Sequence, residues 1–449
     1  MNKSFAIEGK AFYSQSFDQV KVIDKGIFLV NDEGFIEDLY EKSHSDYENI
    51  RKKLLEEGNL RVLSDDEYIL PGFIDLHNHA PQWPQAGTAL DSPLEVWLGK
   101  YTFPLESKYR DLEFANMIYR DLVKETLKFG TTTAMYFASV DRAPSSLLAK
   151  ICGDLGQRGL VGKVVMDDPN ANPDYCRDKS AKDAIEECRL FVDEVLAIKD
   201  DYKQKVYPVI TPRFIPSCTD EALKGLGELA KSYKDIHIQS HVSESDWEHG
   251  YAIERYGIHD AKALDKFGLV NERTVLAHAC HLSEDDMKLL ADRGASIAHS
   301  PISNAYFANA VLPVKTCHEN KLNVGLATDI SGGYSPSLYT AIRQAVISSR
   351  MLNDGVDPAL ASDKRGRCDS SITLNRAFYL ATAGGGQALK LPIGKLEKDY
   401  AFDVQILKID HNIPHFYEEI SDIDMLHKIL LLSESSNIKE VYVQGERVK

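Results

Sequence analysis

Two histidines separated by one residue, His77 and His79, end an apolar segment that begins at residue 68. The segment is short and is interrupted by the pair Pro71 and Gly72, which is typical of a buried β-strand. Alternate residues of a strand point to the same face, so we expect both imidazoles to project together from its carboxyl end. Two neighbouring imidazoles can bind a divalent metal ion, although an isolated pair of this kind can also arise by chance at a surface.

Further polar side chains end other β-prone segments of the chain. They are Arg213, His241, His278, His299 and Asp329. If the strands form a parallel barrel, their carboxyl ends meet on one face, and residues far apart in the chain become neighbours. Packing alone has no use for so many buried imidazoles, because each needs a polar partner. We therefore interpret the set as a catalytic metal site rather than as separate structural histidines.

The chemistry of the side chains divides this set into roles. His77, His79 and His241 offer neutral nitrogen ligands. Asp329 offers an oxygen, which leaves an open coordination position for water. Such a donor set suits catalytic zinc or ferrous iron, and no cysteine spacing fits a thiolate-rich structural site. A bound divalent ion lowers the pKa of water from about 16 to about 7, so that hydroxide becomes available. Asp329 can also accept the proton of that water, and His278 can hydrogen-bond the hydroxide or an oxyanion.

Glu244 follows His241 by three residues in the motif His-Val-Ser-Glu. It can overhang the metal without binding it and pass a proton to a ring nitrogen of a substrate. A glutamate in the loop after a strand can equally be solvated or cap a helix. We expect His237 to lie deeper in the barrel wall and His281 to point away from the strand-end set.

Helix-like and strand-like patterns alternate through the middle of the chain. After a first strand from Ile74, strands are predicted at 131–136, 164–167, 206–211, 237–241, 274–278, 296–299 and 323–329. Helices are predicted at 112–129, 181–199 and 220–234. A further helix is predicted after Ser283, because the three acidic residues at 284–286 favour a helix amino terminus. Eight strands with intervening helices are the count of a (β/α)8 barrel. We predict an α/β fold with this TIM-type barrel over residues 71–385.

Both ends of the chain carry β patterns instead. Residues 26–39 read as a hairpin that turns at Gly34, and alternating segments recur at 402–407 and 441–448. Residues 52–58 read as a short helical insertion. We predict one small β-sandwich, assembled from residues 1–70 and 386–449.

Composition limits the classes of partner. The chain has 449 residues, of which 43% are apolar and 27% charged, as is ordinary for a globular protein with a large core. Its formal net charge is −16, from 68 acidic and 52 basic residues. An acidic chain argues against nucleic acid or an anionic membrane as the main partner. A neutral nucleobase carries no phosphate and stays compatible with this charge.

Cysteine usage and the start of the chain indicate a compartment. The seven cysteines are scattered without a CxxC pair, which is typical of reduced thiols in a cytosolic protein. The start, Met1 to Phe5, lacks the apolar core of a signal peptide, and no apolar stretch reaches the length of about 18 residues that spans a bilayer. We expect a soluble, cytoplasmic protein.

The order of the motifs resembles that of the amidohydrolase superfamily of metal-dependent hydrolases. PGFIDLHNH at 71–79 comes first, followed by HVSE at 241–244, LAHA at 276–279, SIAHSPISN at 296–304 and GLATDISGG at 325–333. Within the superfamily, several stretches are similar to the guanine deaminase family. They are HAPQ at 79–82, WLGKYTFP at 97–104, PRF at 212–214 with Ser217 and Cys218, GGYS at 332–335 and the ending at 437–443. Gln82 and the Arg213–Phe214 pair are the more specific of these features.

The resemblance implies one zinc ion per subunit, bound by His77, His79, His241 and Asp329, with ferrous iron as an alternative. It also implies the lining of a substrate pocket: His79, Ala80, Pro81, Gln82, Arg213, Phe214, His241, Val242, Ser243, Glu244 and Asp329. Arg213 could donate to a purine carbonyl, Phe214 could form an apolar wall, and Gln82 could donate and accept at a mixed edge. The plainer alternatives are an arginine paired with a barrel aspartate, a core phenylalanine and a surface glutamine.

The implied reaction is hydrolytic deamination of guanine to xanthine and ammonia. Zinc-bound hydroxide attacks the amino-bearing ring carbon, Glu244 protonates the adjacent ring nitrogen, Asp329 takes the hydroxide proton and His278 stabilises the attack state. The resemblance further suggests a homodimer.

Two other interpretations stay open. A related deaminase could act on 8-oxoguanine, a pterin, cytosine or a triazine, because Gln82 and Arg213 suit several amino-substituted rings. A non-catalytic barrel that serves as a scaffold is the alternative from another class, but such a chain would be expected to lack the metal ligands.

Overall fold

The structure, a computed structural model, describes residues 4–410 and 420–449. Residues 1–3, at the start of the chain considered above, and residues 411–419, within the predicted carboxy-terminal segment, lie outside the described residues. The strands are β1 (Phe5–Ser14), β2 (Val20–Val30), β3 (Ile36–Glu41), β4 (Leu60–Val62), β5 (Glu67–Pro71), β6 (Phe73–His79), β7 (Thr131–Phe137), β8 (Arg158–Gly162), β9 (Val164–Val165), β10 (Tyr207–Pro212), β11 (His237–Val242), β12 (Thr274–His278), β13 (Ser296–His299), β14 (Asn323–Leu326), β15 (Val404–Lys408), β16 (Ile438–Val443) and β17 (Glu446–Arg447).

The helices lie mainly between the strands of the middle region. They are α1 (Tyr47–Glu56), α2 (Leu94–Trp97), α3 (Phe103–Glu106), α4 (Leu112–Lys128), α5 (Arg142–Asp154), α6 (Ala181–Ile198), α7 (Asp220–Ser232), α8 (Asp246–Tyr256), α9 (Asp260–Lys266), α10 (Glu284–Arg293), α11 (Pro301–Ser303), α12 (Val314–Glu319), α13 (Leu338–Asp354), α14 (Leu374–Ala381), α15 (Ala383–Leu389) and α16 (Asp422–Leu432). Single helical turns also occur at Ala80–Gln85, Leu98–Thr102, Ser107–Arg110, Asp174–Cys176, Lys199–Asp201, Ile215–Ser217, Asn304–Ala308 and Ser362–Lys364.

Parallel strands of the middle region form a nearly closed barrel. Their order is β6, β7, β8, β10, β11, β12, β13 and β14, and the short β9 also pairs with β10. Beyond the end of β14, Asp329 N donates to His77 O at 2.9 Å, and His79 N donates to Ile330 O at 2.7 Å. These bonds join the last strand segment to the first strand. The predicted barrel is therefore confirmed.

The barrel strands form where apolar residues run without alternation. β6 and β7 are buried at every position, because side chains inside the barrel cover one face and helices cover the other. The third barrel strand begins at Arg158 as β8, earlier than predicted. The strand predicted at 164–167 is present as the short β9, Val164–Val165, which also pairs with β10. Two of the five residues of β8, Gly159 and Gly162, are glycines with weak β-propensity, which hides this strand in the sequence.

The predicted helices agree closely with the structure, and side chains of the expected kinds cap them. The Asp111 side chain accepts from the first-turn backbone of α4, and Ser283 and Asp286 form a reciprocal capping box at the start of α10. At the amino-terminal end, α1 begins before the predicted insertion at 52–58. No helix among residues 4–410 and 420–449 is long and apolar enough to cross a bilayer.

Strands from both chain ends share one eight-stranded sheet. Its order is β17, β16, β15, β5, β1, β2 and β3, with β4 beside β1, and the predicted hairpin is the antiparallel pair β2 and β3. The sheet folds over its own apolar core, where Phe28 of β2 and Phe402 have ring centroids 6.3 Å apart. Phe402 N also donates to Gly34 O at 2.9 Å. The predicted β unit from both termini is confirmed, and its boundaries after residues 70 and 385 stay a prediction.

His237 gives a test of the barrel wall that is independent of the site. Its side chain is buried at the start of β11, and its Nε2 donates to Leu389 O at 3.0 Å. Burial lowers the pKa of His237 to about 4, whereas histidine in an unfolded chain titrates near 6.5. Protons therefore bind the unfolded state first, and stability is lost as the pH falls from 6.5 towards 4.

We expect wild-type protein to lose roughly 2–3 kcal/mol more unfolding free energy between pH 7 and pH 4.5 than His237→Gln loses. Urea unfolding of both proteins at the two pH values measures the difference. Equal losses in the two proteins would show that the pKa of His237 is not lowered in the fold.

Candidate active site

Strand carboxyl ends bring the predicted metal ligands together on one face of the barrel. His77 and His79 belong to β6, His241 belongs to β11, and Asp329 follows β14. His79 Nε2 lies 3.0 Å from His241 Nε2. Asp329 Oδ1 lies 3.1 Å from His77 Nε2 and 3.6 Å from His79 Nε2. Side chains from two strands and the closing segment after β14 thus converge on one point.

This cluster fits a divalent metal ion. The ligand atoms of His77, His79 and His241 lie within 4.8 Å of one another, as do those of His77, His278 and Asp329. His77 Nε2 is buried and makes no hydrogen bond, because even the Asp329 oxygen 3.1 Å away is not aligned for one, and such an atom is costly to bury unless a cation binds it. His241 Nδ1 donates to Arg213 O at 2.5 Å, so its Nε2 is free to bind a metal. The donors are nitrogen and oxygen, as catalytic zinc prefers.

Electrostatics keep these imidazoles neutral. Burial is the main cause that lowers the pKa of His77, His79 and His241 well below the ordinary value, and neighbouring histidines add to it. Neutral imidazole has the free lone pair that metal binding requires.

Asp75 lies at the seam where the segment after β14 meets β6. Burial raises the pKa of Asp75 to about 6, against the effect of its hydrogen bonds.

Asp75 ties β6 to the segment that carries Asp329. Its buried carboxylate accepts from Thr328 N at 2.9 Å, from Thr328 Oγ1, from His77 N at 3.3 Å and from Asn78 Nδ2 at 3.2 Å. These donors lie on both sides of the seam. Asp75 therefore sets the position of ligands from the two ends of the barrel sequence.

Glu244 faces the same space from the turn after β11. Its Oε1 lies 3.7 Å from His278 Nε2, and its backbone N donates to Glu248 Oε2 at 2.8 Å. Ser243, with φ of 48°, is in the left-handed region, and Asp260 holds it by accepting from its Oγ at 2.6 Å and from its backbone N. Burial raises the pKa of Glu244 well above the ordinary value, and Asp329 adds to this rise. Glu244 can therefore carry a proton at neutral pH.

His278 ends β12 beside this cluster. Its Nδ1 lies 2.8 Å from Asn304 Oδ1, which orients the imidazole, and its Nε2 lies 3.8 Å from Asp329 Oδ2. Of the other histidines considered above, His299 is buried at the end of β13 but belongs to neither group of ligand atoms. His237 and His281 do not line the pocket.

One pocket of about 400 Å³, including its open mouth, opens onto the cluster, and of the four predicted ligands only the buried His77 does not line it. Of the residues predicted to act, it is lined by His79, Gln82, Arg213, Phe214, His241, Glu244, His278 and Asp329. Ala80, Pro81, Val242 and Ser243 are buried beside it and do not line it. They shape the turns from which their neighbours project.

Sequence reasoning missed the apolar part of the lining. These residues are Leu94, Trp97, Leu98 and Phe307, with Gly332 beside them. The stretch 97–104 was singled out for its resemblance, but no pattern assigned its side chains to a pocket. Trp97 and Phe307 come from different loops and have ring centroids 5.2 Å apart. Only the fold brings these two rings over the polar cluster.

Metal analysis tests the cluster. We expect about one zinc ion per wild-type chain and a loss of zinc affinity of roughly tenfold or more in His77→Asn and His241→Asn, because each removes a ligand nitrogen. His281→Asn, the same change outside the pocket, should retain the metal. Elemental analysis after dialysis measures zinc and iron, and circular dichroism checks folding. Full metal content in both folded ligand variants would contradict this site.

Comparison with known proteins agrees with the architecture. The model of the Amidohydrolase family matches residues 68–448. Guanine deaminase of Mus musculus is 38% identical over 441 residues, covering 96% of this chain and 93% of the mouse protein. Guanine deaminase of Dictyostelium discoideum is 34% identical, covering 98% of this chain and 97% of that protein.

A solved structure shows the same similarity. The crystal structure of guanine deaminase from C. acetobutylicum with bound guanine has a TM-score of 0.87 at 28% identity, covering 99% of this chain and all (100%) of that chain. The structure of E. coli guanine deaminase has a TM-score of 0.85 at 25% identity, covering 100% and 99%. The chain therefore belongs to the amidohydrolase family and, within it, to the same family as these guanine deaminases.

Proposed function

We propose that this chain hydrolyses guanine to xanthine and ammonia. The observation that carries the proposal is that one pocket joins three kinds of group: a cluster of nitrogen and oxygen ligands, the buried acid Glu244, and a hydrogen-bonding wall made by Gln82 and Arg213. The relatives of the chain are named for this reaction. A scaffold would need none of these groups.

The residues present can hold one metal ion per chain, which we propose to be zinc bound by His77, His79, His241 and Asp329. When bound, it would supply a water of lowered pKa next to the substrate. The neutral histidines keep the lone pairs that would bind the ion, and Asp329 can also accept a proton.

The pocket walls suit a flat, uncharged base. Leu94, Trp97, Leu98, Phe214 and Phe307 offer apolar surface to the ring faces. Arg213 offers N–H donors to a carbonyl oxygen, and the Gln82 amide can both donate and accept. An apolar slot with a few fixed polar groups is typical of a site for a small ring compound.

Proton transfers by Glu244 and Asp329 complete the reaction. Water adds its oxygen to the amino-bearing ring carbon and passes a proton to Asp329, while Glu244 protonates the adjacent ring nitrogen. The Asp329 proton then goes to the amino group, which leaves as ammonia. The new hydroxyl gives its proton to Glu244 as the ring carbonyl forms, so both acids return to their starting state. His278 Nε2 faces both carboxyls, and because Nδ1 donates to Asn304 Oδ1, Nε2 can take up a proton and then donate to the oxygen on which charge develops on attack.

An assay of guanine absorbance on the purified protein tests the function. We expect conversion to xanthine with release of one ammonia per guanine. The same assay is run with 8-oxoguanine, a pterin, cytosine and a triazine. Faster ammonia release from any of these would contradict guanine as the substrate and leave the chemistry in place.

Glu244→Gln removes the transferable proton but keeps the size of the side chain. We expect metal content to be unchanged and kcat to fall by roughly 100-fold or more, in line with general acid–base contributions. Glu272→Gln is the matched control, because Glu272 lies outside the pocket, and it should keep wild-type kinetics. A near-normal kcat in Glu244→Gln would remove Glu244 from the mechanism.

The homodimer and the cytoplasmic location rest on the family resemblance and on composition, and both stay predictions. Light scattering in solution tests the first, and cell fractionation tests the second.

A further inference from the structure

Glu106 is a buried acid next to the pocket for which the reaction above has no use. It ends α3, in the long connection between β6 and α4, and it is 6% exposed. It does not line the pocket, whereas Arg213 and Gln82 in front of it do. A buried carboxylate needs hydrogen-bond donors, and the donors of Glu106 indicate its role.

The Glu106 carboxylate binds both side chains of the hydrogen-bonding wall at once. Arg213 Nη1 donates to Oε2 at 2.7 Å, and Arg213 Nη2 donates to Oε1 at 3.1 Å. Gln82 Nε2 donates to Oε1 at 3.0 Å. The arginine contact is bidentate, which fixes the plane of the guanidinium group as well as its position. Glu106 thus fixes the positions of Gln82 and Arg213 relative to each other, although they follow different strands.

These contacts decide which donors of Arg213 remain for a ligand. A guanidinium group has five N–H bonds. Two point at Glu106, and Met166 Sδ lies 3.7 Å from Nη1. The Nε–H and the second N–H of Nη2 remain for a carbonyl oxygen in the pocket. Phe103, from the same short helix as Glu106, supports the guanidinium group with its ring 5.2 Å from Arg213 Cζ.

The Gln82 amide is likewise held in one orientation. A carboxylate oxygen only accepts, so the side of Gln82 that faces Glu106 must be the amide nitrogen. Its Oε1 accepts from Ser331 N at 3.3 Å, which favours the same orientation from the other side. One N–H and one lone pair of Gln82 therefore remain for a ligand, in fixed positions.

The charge of Glu106 also keeps Arg213 in the pocket wall. Arg213 is 3% exposed, and a buried guanidinium group without a partner is strongly unfavourable. Burial opposes the charged form, yet Glu106 raises the pKa of Arg213 above its ordinary value. The Arg213 backbone carbonyl accepts from His241 Nδ1, so movement of the Arg213 backbone would also shift the imidazole of His241.

We propose that Glu106 is a positioning residue for base selection: it presents Arg213 and Gln82 so that the pocket favours a purine carrying a ring carbonyl over a purine that lacks one. This inference rests on the proposed function. Glu106 itself touches no substrate, and it acts through the two side chains that it orients.

Glu106→Gln tests the proposal, since it keeps the size of the side chain and removes its charge and one acceptor oxygen. Guanine is compared with 2-aminopurine, which has the same amino group and no carbonyl, as substrates and as ligands. We expect kcat/KM for guanine to fall by roughly 10- to 100-fold, mainly through KM, with zinc content unchanged. The inhibition constant of 2-aminopurine should change by less than about 3-fold, because its binding gains little from Arg213.

Two further variants sharpen the test. Arg213→Ala should reduce the preference for guanine in the same way. Adding Glu106→Gln to Arg213→Ala should reduce the preference little further, because Glu106 acts through Arg213 and the two effects are therefore not additive. Glu95→Gln is the matched control, an exposed glutamate in the same connection, and it should behave as wild type. Calorimetric binding of xanthine gives a readout without turnover: its Kd should rise in Glu106→Gln and stay unchanged in Glu95→Gln.

The outcomes separate this inference from the proposed function. If wild-type protein forms no xanthine from guanine, the proposed function fails. If wild-type protein is active and Glu106→Gln weakens guanine and 2-aminopurine equally, or leaves both unchanged, the selection role of Glu106 is wrong. If Glu106→Gln does not fold, Glu106→Asp replaces it in the test, because this variant keeps the charge on a side chain that is shorter by one methylene. An increased KM for guanine with unchanged kcat in Glu106→Asp would support the proposal, and an unchanged KM would overturn it.

Discussion

Closure of the barrel between β6 and the segment after β14 is the constraint on which the rest of the structure depends. The backbone bonds from Asp329 to His77 and from His79 to Ile330 are barrel hydrogen bonds, and they join the residues that supply ligand atoms to the cluster. Asp75 stabilises this seam with a buried carboxylate whose donors come from both sides. Because leaving a buried carboxylate unsatisfied is costly, the two segments must meet in this register. The geometry of the cluster is therefore a consequence of how the barrel closes.

Three polar groups at the rim each have a partner that sets their direction. Asp260 holds the turn before Glu244, Asn304 orients His278, and Glu106 orients Arg213. Left-handed backbone at Ser243, His278 and Asp329 is costly for residues with a side chain, and it persists because these hydrogen bonds and the barrel register over-determine it. Arg213 connects the two halves of the pocket, since its side chain faces the recognition wall and its carbonyl oxygen accepts from the ligand His241. The candidate metal ligands and the hydrogen-bonding wall of Gln82 and Arg213 are thus connected through one residue.

Much of the fold could be predicted from local patterns. Continuous apolar runs, helix caps such as Ser283 and the hairpin at Gly34 depend on neighbours within a few residues, so the sequence displays them directly. β8 was missed, although the adjoining β9 was predicted, because the stability of β8 depends on tertiary contacts: buried Arg158 pairs with Asp403, which lies in the carboxy-terminal part of the chain. The sharing of one sheet by both chain ends could be inferred in outline, but the pairing of β5 with β15 could not, because such pairing depends on contacts between distant segments.

For the site, the sequence alone determined the chemistry of the ligand set, because histidines and an aspartate at the ends of apolar strands have few other uses and parallel strands all end on one face. It also predicted that Glu244, three residues after His241, faces the same space, as the structure shows. Tertiary structure alone decided the apolar wall of Leu94, Trp97 and Phe307 and the role of Glu106. Those residues lie in short helices and helical turns of the connections between strands, which are too short to show a periodic pattern. Such a residue acquires its neighbours only when barrel closure sets where the connections meet.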